Sequence, residues 1–209
     1  MCRGEKMILP EEIGYECELQ ENISLEDLRE VYKEGVIIWL NGSGASPDGK
    51  SGSYRCVLEY KGHTKYIENQ VPNGTTNQSM LMGAIEAVKC VNKPLRIYLI
   101  SPTALGFAKG FKGKGPNGAL VQQLCEIIKE KDCFLTEVQF VNGGASIKKF
   151  VYSCNSNKEE VAQYRKTQEE RGNWYKEKIY RECLLKVEKV LVNRDVDNSI
   201  IDEIRRIRP

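Results

Sequence analysis

Apolar residues in the first part of the chain change from a helical to a strand-like spacing at Gly35. The segment before it has apolar side chains at intervals of three or four residues, namely Leu25, Leu28, Val31 and Tyr32. This spacing predicts a short helix that Ser24 caps and Gly35 ends. From Val36 to Leu40 every residue is apolar, which is typical of a strand buried on both faces. The strand ends at Asn41-Gly-Ser-Gly.

Two more strands, 54–60 and 64–71, are predicted on either side of the turn Lys61-Gly62-His63. Helices and strands then alternate: helix 76–91, strand 96–100, short helix 103–110, helix 118–131 and strand 133–141. With the two consecutive helices counted as one and the helical segment after Ser153 added, the order is β-β-β-α-β-α-β-α. Three consecutive strands followed by alternating elements indicate an α/β domain, in which helices flank a mixed five-stranded sheet.

The C-terminal part is predicted to be helical. Residues 156–159 match a capping box, and Gly172 is predicted to break the helix that follows. Apolar stripes run through 179–191 and 200–207 at helical spacing. These helices either pack on the preceding domain or bind a partner protein or a second copy of the chain. Trp174 and Tyr175 are candidate anchors for such an interface, and internal packing is the alternative.

Composition and charge divide the chain into three parts. Of its 209 residues, 41% are hydrophobic and 29% charged, as in a soluble globular protein. Residues 1–34, an acidic extension with one predicted helix, carry 4 basic and 10 acidic side chains, a net charge of −6. Residues 35–153 carry 14 and 8 (+6), and the helical extension 154–209 carries 13 and 11 (+2). The basic middle part suggests an anionic partner.

Targeting and metal-binding motifs are absent from the sequence. No apolar run reaches the length of a membrane span, and the N-terminus lacks the apolar core of a secretory signal, so an intracellular location without membrane insertion is expected. The eight cysteines form no CxxC pair, and His63 is the only histidine, so no zinc site is expected. No phosphate-loop or nucleophile-elbow motif occurs, and no cofactor is predicted.

Several segments of the middle part together resemble ribonuclease H. Ile38-Trp-Leu-Asn-Gly-Ser43 resembles that family's first strand, and Gly74-Thr-Thr-Asn-Gln-Ser-Met80 resembles the start of its first long helix. Ile97–Leu105 resembles the strand that ends in Thr-Asp-Ser, and Phe134–Gly144 resembles the strand that ends in Val-x-Gly-His. A basic segment, Phe111–Gly118, leads into a helix as in the family. The resemblance covers about 115 residues and implies a ribonuclease H-like fold for residues 35–153.

The same resemblance implies that catalysis has been lost. The family's reaction uses two divalent cations held by clustered carboxylates. Here the four ligand positions fall on Asn41, on Met80 or Leu81, on Ser101 or Pro102, and near Cys154, while the family histidine falls on Gly143 or Gly144. None of these residues is a carboxylate, and nearby acids such as Glu86 do not fall on the same helix face. A catalytically inactive member without a bound metal is therefore expected.

Two hypotheses for function remain, with an unconventional metal-dependent nuclease as a third. In the first, the domain binds RNA, a duplex or an RNA–DNA hybrid: lysines hold phosphates, and polar side chains donate to the backbone or to base edges. The candidates are Lys109, Lys112, Lys114, Ser43, Asn77 and Gln78. The alternative for the lysine-rich segment is a solvated loop without a ligand. In the second, the domain is a protein scaffold or tether that uses the C-terminal helices.

Overall fold

A computed structural model describes residues 8, 12–47, 49–103, 117–155 and 158–192, and in the last range the side chains of residues 166, 167 and 169–187. The chain divides into two compact units, Met1–Asn155 and Ser156–Pro209. Several expected features lie outside the described residues: all but the first residue of the short helix 103–110, the candidate lysines at 109, 112 and 114, the side chains of the capping box at 156–159, and the stripe at 200–207.

The described part of the first unit contains six strands and four helices. The strands are β1 (Gly14–Gln20), β2 (Val36–Ser43), β3 (Gly52–Tyr60), β4 (His63–Val71), β5 (Arg96–Ser101) and β6 (Phe134–Phe140). The helices are α1 (Leu25–Tyr32), α2 (Thr76–Lys89), α3 (Gly118–Glu130) and α4 (Gly144–Ser153). The strands form one mixed sheet in the order β1-β6-β5-β2-β3-β4. The predicted α/β class with a mixed sheet is confirmed.

The expected number of five strands is wrong, because Gly14–Gln20 adds a sixth. β1 pairs in parallel with β6 along its whole length, from Gly14 opposite Phe134 to Gln20 opposite Phe140. Its tyrosine, cysteine and leucine alternate with charged or polar residues, which is a strand pattern of period two. The two glutamates among these seven residues disfavour a strand by their low strand propensity, but in the structure both glutamates have partners. Glu16 pairs with Arg96, and Glu18 accepts a hydrogen bond from the hydroxyl of Tyr32 at 2.6 Å.

Strand β2 lies in the middle of the sheet and is buried on both faces, as its apolar run predicts. Val36, Ile38 and Leu40 pack in a cluster with residues of α2 and α3. Ile37 and Trp39 pack on the opposite face with residues of α1 and α4. The sheet is therefore covered by two layers of helix, and this fixes which way every β2 side chain points.

Local sequence signals place several element ends correctly. The side chain of Ser24 accepts a hydrogen bond from the backbone N–H of Asp27 at 3.0 Å, so the predicted N-cap of α1 is confirmed. The β3–β4 turn consists of Lys61 and Gly62, with positive φ angles of 46° and 79°. His63, expected in the turn, is instead the first residue of β4 and pairs with Tyr60.

The second unit contains α5 (Lys158–Val192), a helix of 35 residues. The predicted break at Gly172 is wrong, because the helix continues through it. A glycine in an exposed helix costs only about 1 kcal/mol relative to alanine, and the good helix formers Glu169, Glu170 and Arg171 precede this one. No helix in the described part of the chain is long and apolar enough to cross a membrane.

Candidate functional site

The carboxyl ends of strands β2, β5 and β6 lie at one edge of the sheet, here called the carboxyl edge. β2 and β5 are parallel neighbours, with Trp39 opposite Ile100. After β2 the chain turns back into the antiparallel strand β3, whereas the next described element after β5 is the helix α3. In open α/β sheets, ligands commonly bind outside the carboxyl ends of the parallel strands. The residues that end β2 and β5 are therefore the first candidates for a functional site.

Met80 fills the space beneath the end of β2. Its side chain is 1% exposed, and a Cβ atom placed on Gly42 would lie 2.5 Å from its Cγ atom. The hydroxyl of Thr103, just after β5, donates a hydrogen bond to Met80 Sδ at 3.7 Å. A thioether therefore occupies the position at which the resemblance implies a metal-ligating glutamate. Leu81, the other residue considered for that position, is equally buried.

Asn41 is half-buried near the end of β2. It lies on the same face of the strand as Ile37 and Trp39, which is the face covered by α1 and α4. Its cross-strand neighbour on β3 is Arg55. The guanidinium of Arg55 lies 2.5 Å from a carboxylate oxygen of Glu68 and 4.4 Å from the ring centre of Tyr152. Sequence reasoning did not single out Arg55, since only the strand register brings it beside Asn41.

Ser101 and Pro102 end β5 at the same edge. Ser101 is fully buried, and its hydroxyl donates a hydrogen bond to the backbone carbonyl of Thr103. A Cβ atom on Gly144 would lie 3.4 Å from Cβ of Pro102, so the start of α4 packs against the end of β5. Gly143 has no room for any side chain, because a Cβ atom there would lie 1.9 Å from a ring atom of Phe140. A histidine cannot be accommodated at that position without rearrangement.

Cys154 lies away from the carboxyl edge. It follows α4 and packs with the cluster that includes Trp39 and Phe150. The charges nearest to it belong to Glu59 and Arg29, and Glu59 is paired with Ile37 at the start of β2. Four residues of strand separate Ile37 from Asn41, a distance of about 13 Å. Burial raises the pKa of the Cys154 thiol above its ordinary value.

Ser43, Asn77 and Gln78 lie where β2 ends and α2 begins; Ser43 and Asn77 are exposed, and Gln78 is half-buried. The loop after β2 packs on the helix start: the N–H of Ala45 donates to the carbonyl of Gly74 at 2.7 Å. Ser43 Oγ lies 2.9 Å from Ser53 Oγ. The structure thus brings these three candidates into one neighbourhood.

Gln78 has a structural role as well. Its side-chain oxygen accepts a hydrogen bond from the backbone N–H of Thr75 at 2.9 Å, and the Thr75 hydroxyl accepts one from the N–H of Gln78, which completes a capping box. Only the amide nitrogen of Gln78 is therefore left to donate to a ligand. The first turn of α2 contains no acidic residue, so no carboxylate offsets the positive end of the helix dipole.

Lys109, Lys112 and Lys114 lie outside the described residues. The described residues on either side of their segment are Thr103, after β5, and Asn117, before α3. The thirteen residues 104–116 include these three lysines and no acidic residue. Among the residues that the structure does describe, no three His, Cys, Asp or Glu side chains converge in an arrangement that would hold a metal ion.

Comparison with known proteins gives no assignment. No protein-family model matches the chain, and no curated protein matches it.

Proposed function

We propose that residues 35–153 form a catalytically inactive ribonuclease H-like domain, which binds nucleic acid at the carboxyl edge of its sheet. One observation carries the proposal. The exposed side chains of Ser43 and Asn77 and the half-buried side chain of Gln78 lie around the start of α2, and that first helical turn has no acidic residue. Such a helix start favours phosphate, and neutral polar side chains beside it can position a sugar–phosphate backbone.

The strand arrangement supports the family assignment. β2, β3 and β4 are sequential antiparallel neighbours, and β5 and β6 are then added in parallel on the other side of β2. This is the mixed sheet that three strands followed by alternating helices and strands imply. The additional strand β1 pairs with β6 at the far edge and leaves the order of the other five unchanged.

The identities of the residues at the ligand positions support the loss of catalysis. Two-metal hydrolysis needs several carboxylates around two cations about 4 Å apart. Asn41 has no charge, and its cross-strand neighbour is the cation Arg55. Met80 is buried against Gly42, so a glutamate in its place would first have to leave the core. Cys154 lies near the opposite end of β2.

The lysine-rich segment supports binding of a polyanion. Thr103, the last described residue before residues 104–116, follows the end of β5, the neighbour of β2, at the carboxyl edge. If the three lysines of this segment each neutralise one phosphate, the affinity falls about 40-fold between 50 and 200 mM salt. Each phosphate contact adds about 0.9 to the steepness with which the logarithm of the affinity falls against the logarithm of the salt concentration. The proposal therefore predicts a salt dependence of definite size.

The experiment titrates the full chain into a fluorescent 20-mer RNA–DNA hybrid, and into RNA and DNA duplexes, while anisotropy is recorded at several salt concentrations. We expect binding whose affinity falls with salt concentration as steeply as stated above. Replacing Lys109, Lys112 and Lys114 by Gln should remove most of this salt dependence. A charge-matched control replaces the exposed Lys61, Lys89 and Lys129, and should change it little. Absence of binding to every probe at about 50 mM salt, or equal losses in both triple variants, contradicts the proposal.

Cleavage is measured separately on the same hybrid with Mg²⁺ or Mn²⁺. We expect the substrate to remain intact after prolonged incubation. Product that depends on the metal and on this chain would contradict the inactive part of the proposal, and the binding part would stand on its own measurement.

A second candidate function is protein association through α5. Its described part exposes large apolar side chains, of which Trp174, Tyr175, Ile179 and Tyr180 are each more than half exposed. Aromatic residues are enriched at the cores of protein interfaces. Light scattering after gel filtration tests for a second copy: a dimer mass that the Trp174→Ala/Ile179→Ala variant lowers to that of a monomer supports this candidate. A monomer at all concentrations argues against self-association.

A further inference from the structure

A cleft lies at the amino edge of the sheet, opposite the carboxyl edge. Its volume is about 340 Å³, and its walls come from the start of β2, the β3–β4 hairpin and the connection from α2 to β5. This is within the range of small-molecule sites, at its lower end. At about 30 Å³ for each water-sized group, the cleft can hold a ligand of about ten non-hydrogen atoms.

The walls of the cleft are apolar. Val36, Leu58 and Val91 are each less than a tenth exposed and also belong to the core cluster under α2, while Tyr60 and Leu95 are half-buried. Burial of apolar ligand surface against such walls contributes about 25 cal/mol for each Å² removed from water. A ligand of this cleft therefore has an apolar body.

The polar side chains of the cleft carry positive charge or can do so. Lys65, Lys93 and His63 line it, and no described residue of the lining is acidic. Lys65 Nζ donates a hydrogen bond to Cys90 Sγ at 3.2 Å. A thiol sulfur is a weak acceptor, and a carboxylate oxygen is a much stronger one. The ammonium at the rim of the cleft thus faces a poor partner.

Some other cations of the first unit have carboxylate partners. Lys89 pairs with Glu86 at 2.7 Å, and Arg29 pairs with Glu59 at 2.9 Å. Lys65 has no carboxylate partner among the described residues, although it adjoins an apolar surface where an ion pair is less screened than in open solvent. We infer that this cleft binds a small apolar carboxylate, of the size of a medium-chain fatty acid, whose carboxylate pairs with Lys65.

The inference is independent of nucleic-acid binding, since the cleft shares no residue with the candidates at the carboxyl edge. Octanoate is the probe, because it has ten non-hydrogen atoms, and octanol is its neutral counterpart. The full chain, labelled with ¹⁵N, is titrated with each while amide resonances are followed. We expect saturable shifts at Lys65, Cys90 and Val91 with a Kd of about 1 mM or tighter for octanoate, and weaker binding of octanol by about tenfold.

Variants test the role of the ammonium group. Lys65→Met should weaken octanoate binding about tenfold, and Lys65→Arg should retain it, because the guanidinium keeps the charge. Lys129→Met, an exposed lysine on α3 outside the cleft, is the control and should bind like the natural chain. Equal affinity of Lys65→Met and the control would overturn the inference. So would the absence of saturable shifts at these residues up to about 10 mM octanoate, far above the expected Kd.

Cysteine alkylation gives a second readout. Cys90 is half-buried in the cleft, whereas Cys183 is exposed on α5. Saturating octanoate should slow the reaction of Cys90 with N-ethylmaleimide and leave the rate at Cys183 unchanged, as measured by peptide mass spectrometry. Equal rates at Cys90 with and without octanoate would count against occupancy of the cleft.

Discussion

Gly42 and Met80 are in contact at the carboxyl edge, where a Cβ atom on Gly42 would lie 2.5 Å from Cγ of Met80 and 3.2 Å from its backbone nitrogen. The contact joins the end of β2 to the first turns of α2. It explains why a glycine follows Asn41: no side chain fits between the strand and the helix. It also places an apolar group at the position where the resemblance to ribonuclease H implies a carboxylate.

Gly42→Ala should destabilise the protein by about 1–3 kcal/mol, because the added methyl group overpacks a filled core. Urea unfolding followed by circular dichroism measures the change in the midpoint. The double variant Gly42→Ala/Met80→Ala should lose less stability than the two single changes together, since the shorter side chain makes room for the methyl group. Strict additivity would show that the contact is not the cause.

Gly172→Ala should have the opposite effect. A Cβ atom on Gly172 meets no atom within 4 Å, and α5 continues through this position. Alanine should therefore stabilise the helix by about 0.5–1 kcal/mol. The measurement is the helical circular dichroism signal as a function of temperature. A fall in helicity would show that the helix is interrupted at this glycine.

Tyr15→Phe should destabilise the protein by about 1–2 kcal/mol. Glu137 is fully buried on β6, and the hydroxyl of Tyr15 on β1 donates a hydrogen bond to it at 2.8 Å. Loss of this hydroxyl removes a donor from a buried carboxylate. The control is Tyr66→Phe, which removes an exposed hydroxyl bound to Glu68 and should cost less in the same urea titration. Equal losses of stability in the two variants would contradict the prediction that burial of Glu137 makes its hydrogen bond the more important one.

Stability should decrease as the pH rises above about 10. Burial, with contributions from Glu137 at Tyr15 and Glu18 at Tyr32, raises the pKa of both phenols in the folded protein above the ordinary value of 10.0. The folded state then holds protons that the unfolded state releases, so the free energy of unfolding is unaffected below pH 10 and falls above it. Buried thiols act in the same direction, since burial raises the pKa of Cys125 to about 11.

The measurement compares urea midpoints at about pH 8, 10 and 11, around the phenol pKa. The variant Tyr15→Phe/Tyr32→Phe should show a smaller decrease over this range than the natural chain. A midpoint that is constant to pH 11 would contradict the prediction.

The sequence by itself determined the features that short stretches of chain specify. The apolar run Val36–Leu40 indicated a central strand, and the predicted capping residue Ser24 stands at the true start of α1. These elements were predictable because their signals are local: a run of apolar side chains, or one hydrogen bond back to a neighbouring N–H.

Only the tertiary structure decided the features that depend on distant partners. Gly14–Gln20 is a strand because β6, more than 100 residues away, offers it a free edge and because Arg96 and Tyr32 pair with its glutamates. Met80 is packed under Gly42, and Cys154 lies near the opposite end of β2, although the sequence alone treated both as positions of one site. Local patterns set the helices and strands, whereas side chains that meet across the sheet are fixed by its register, which no local pattern contains.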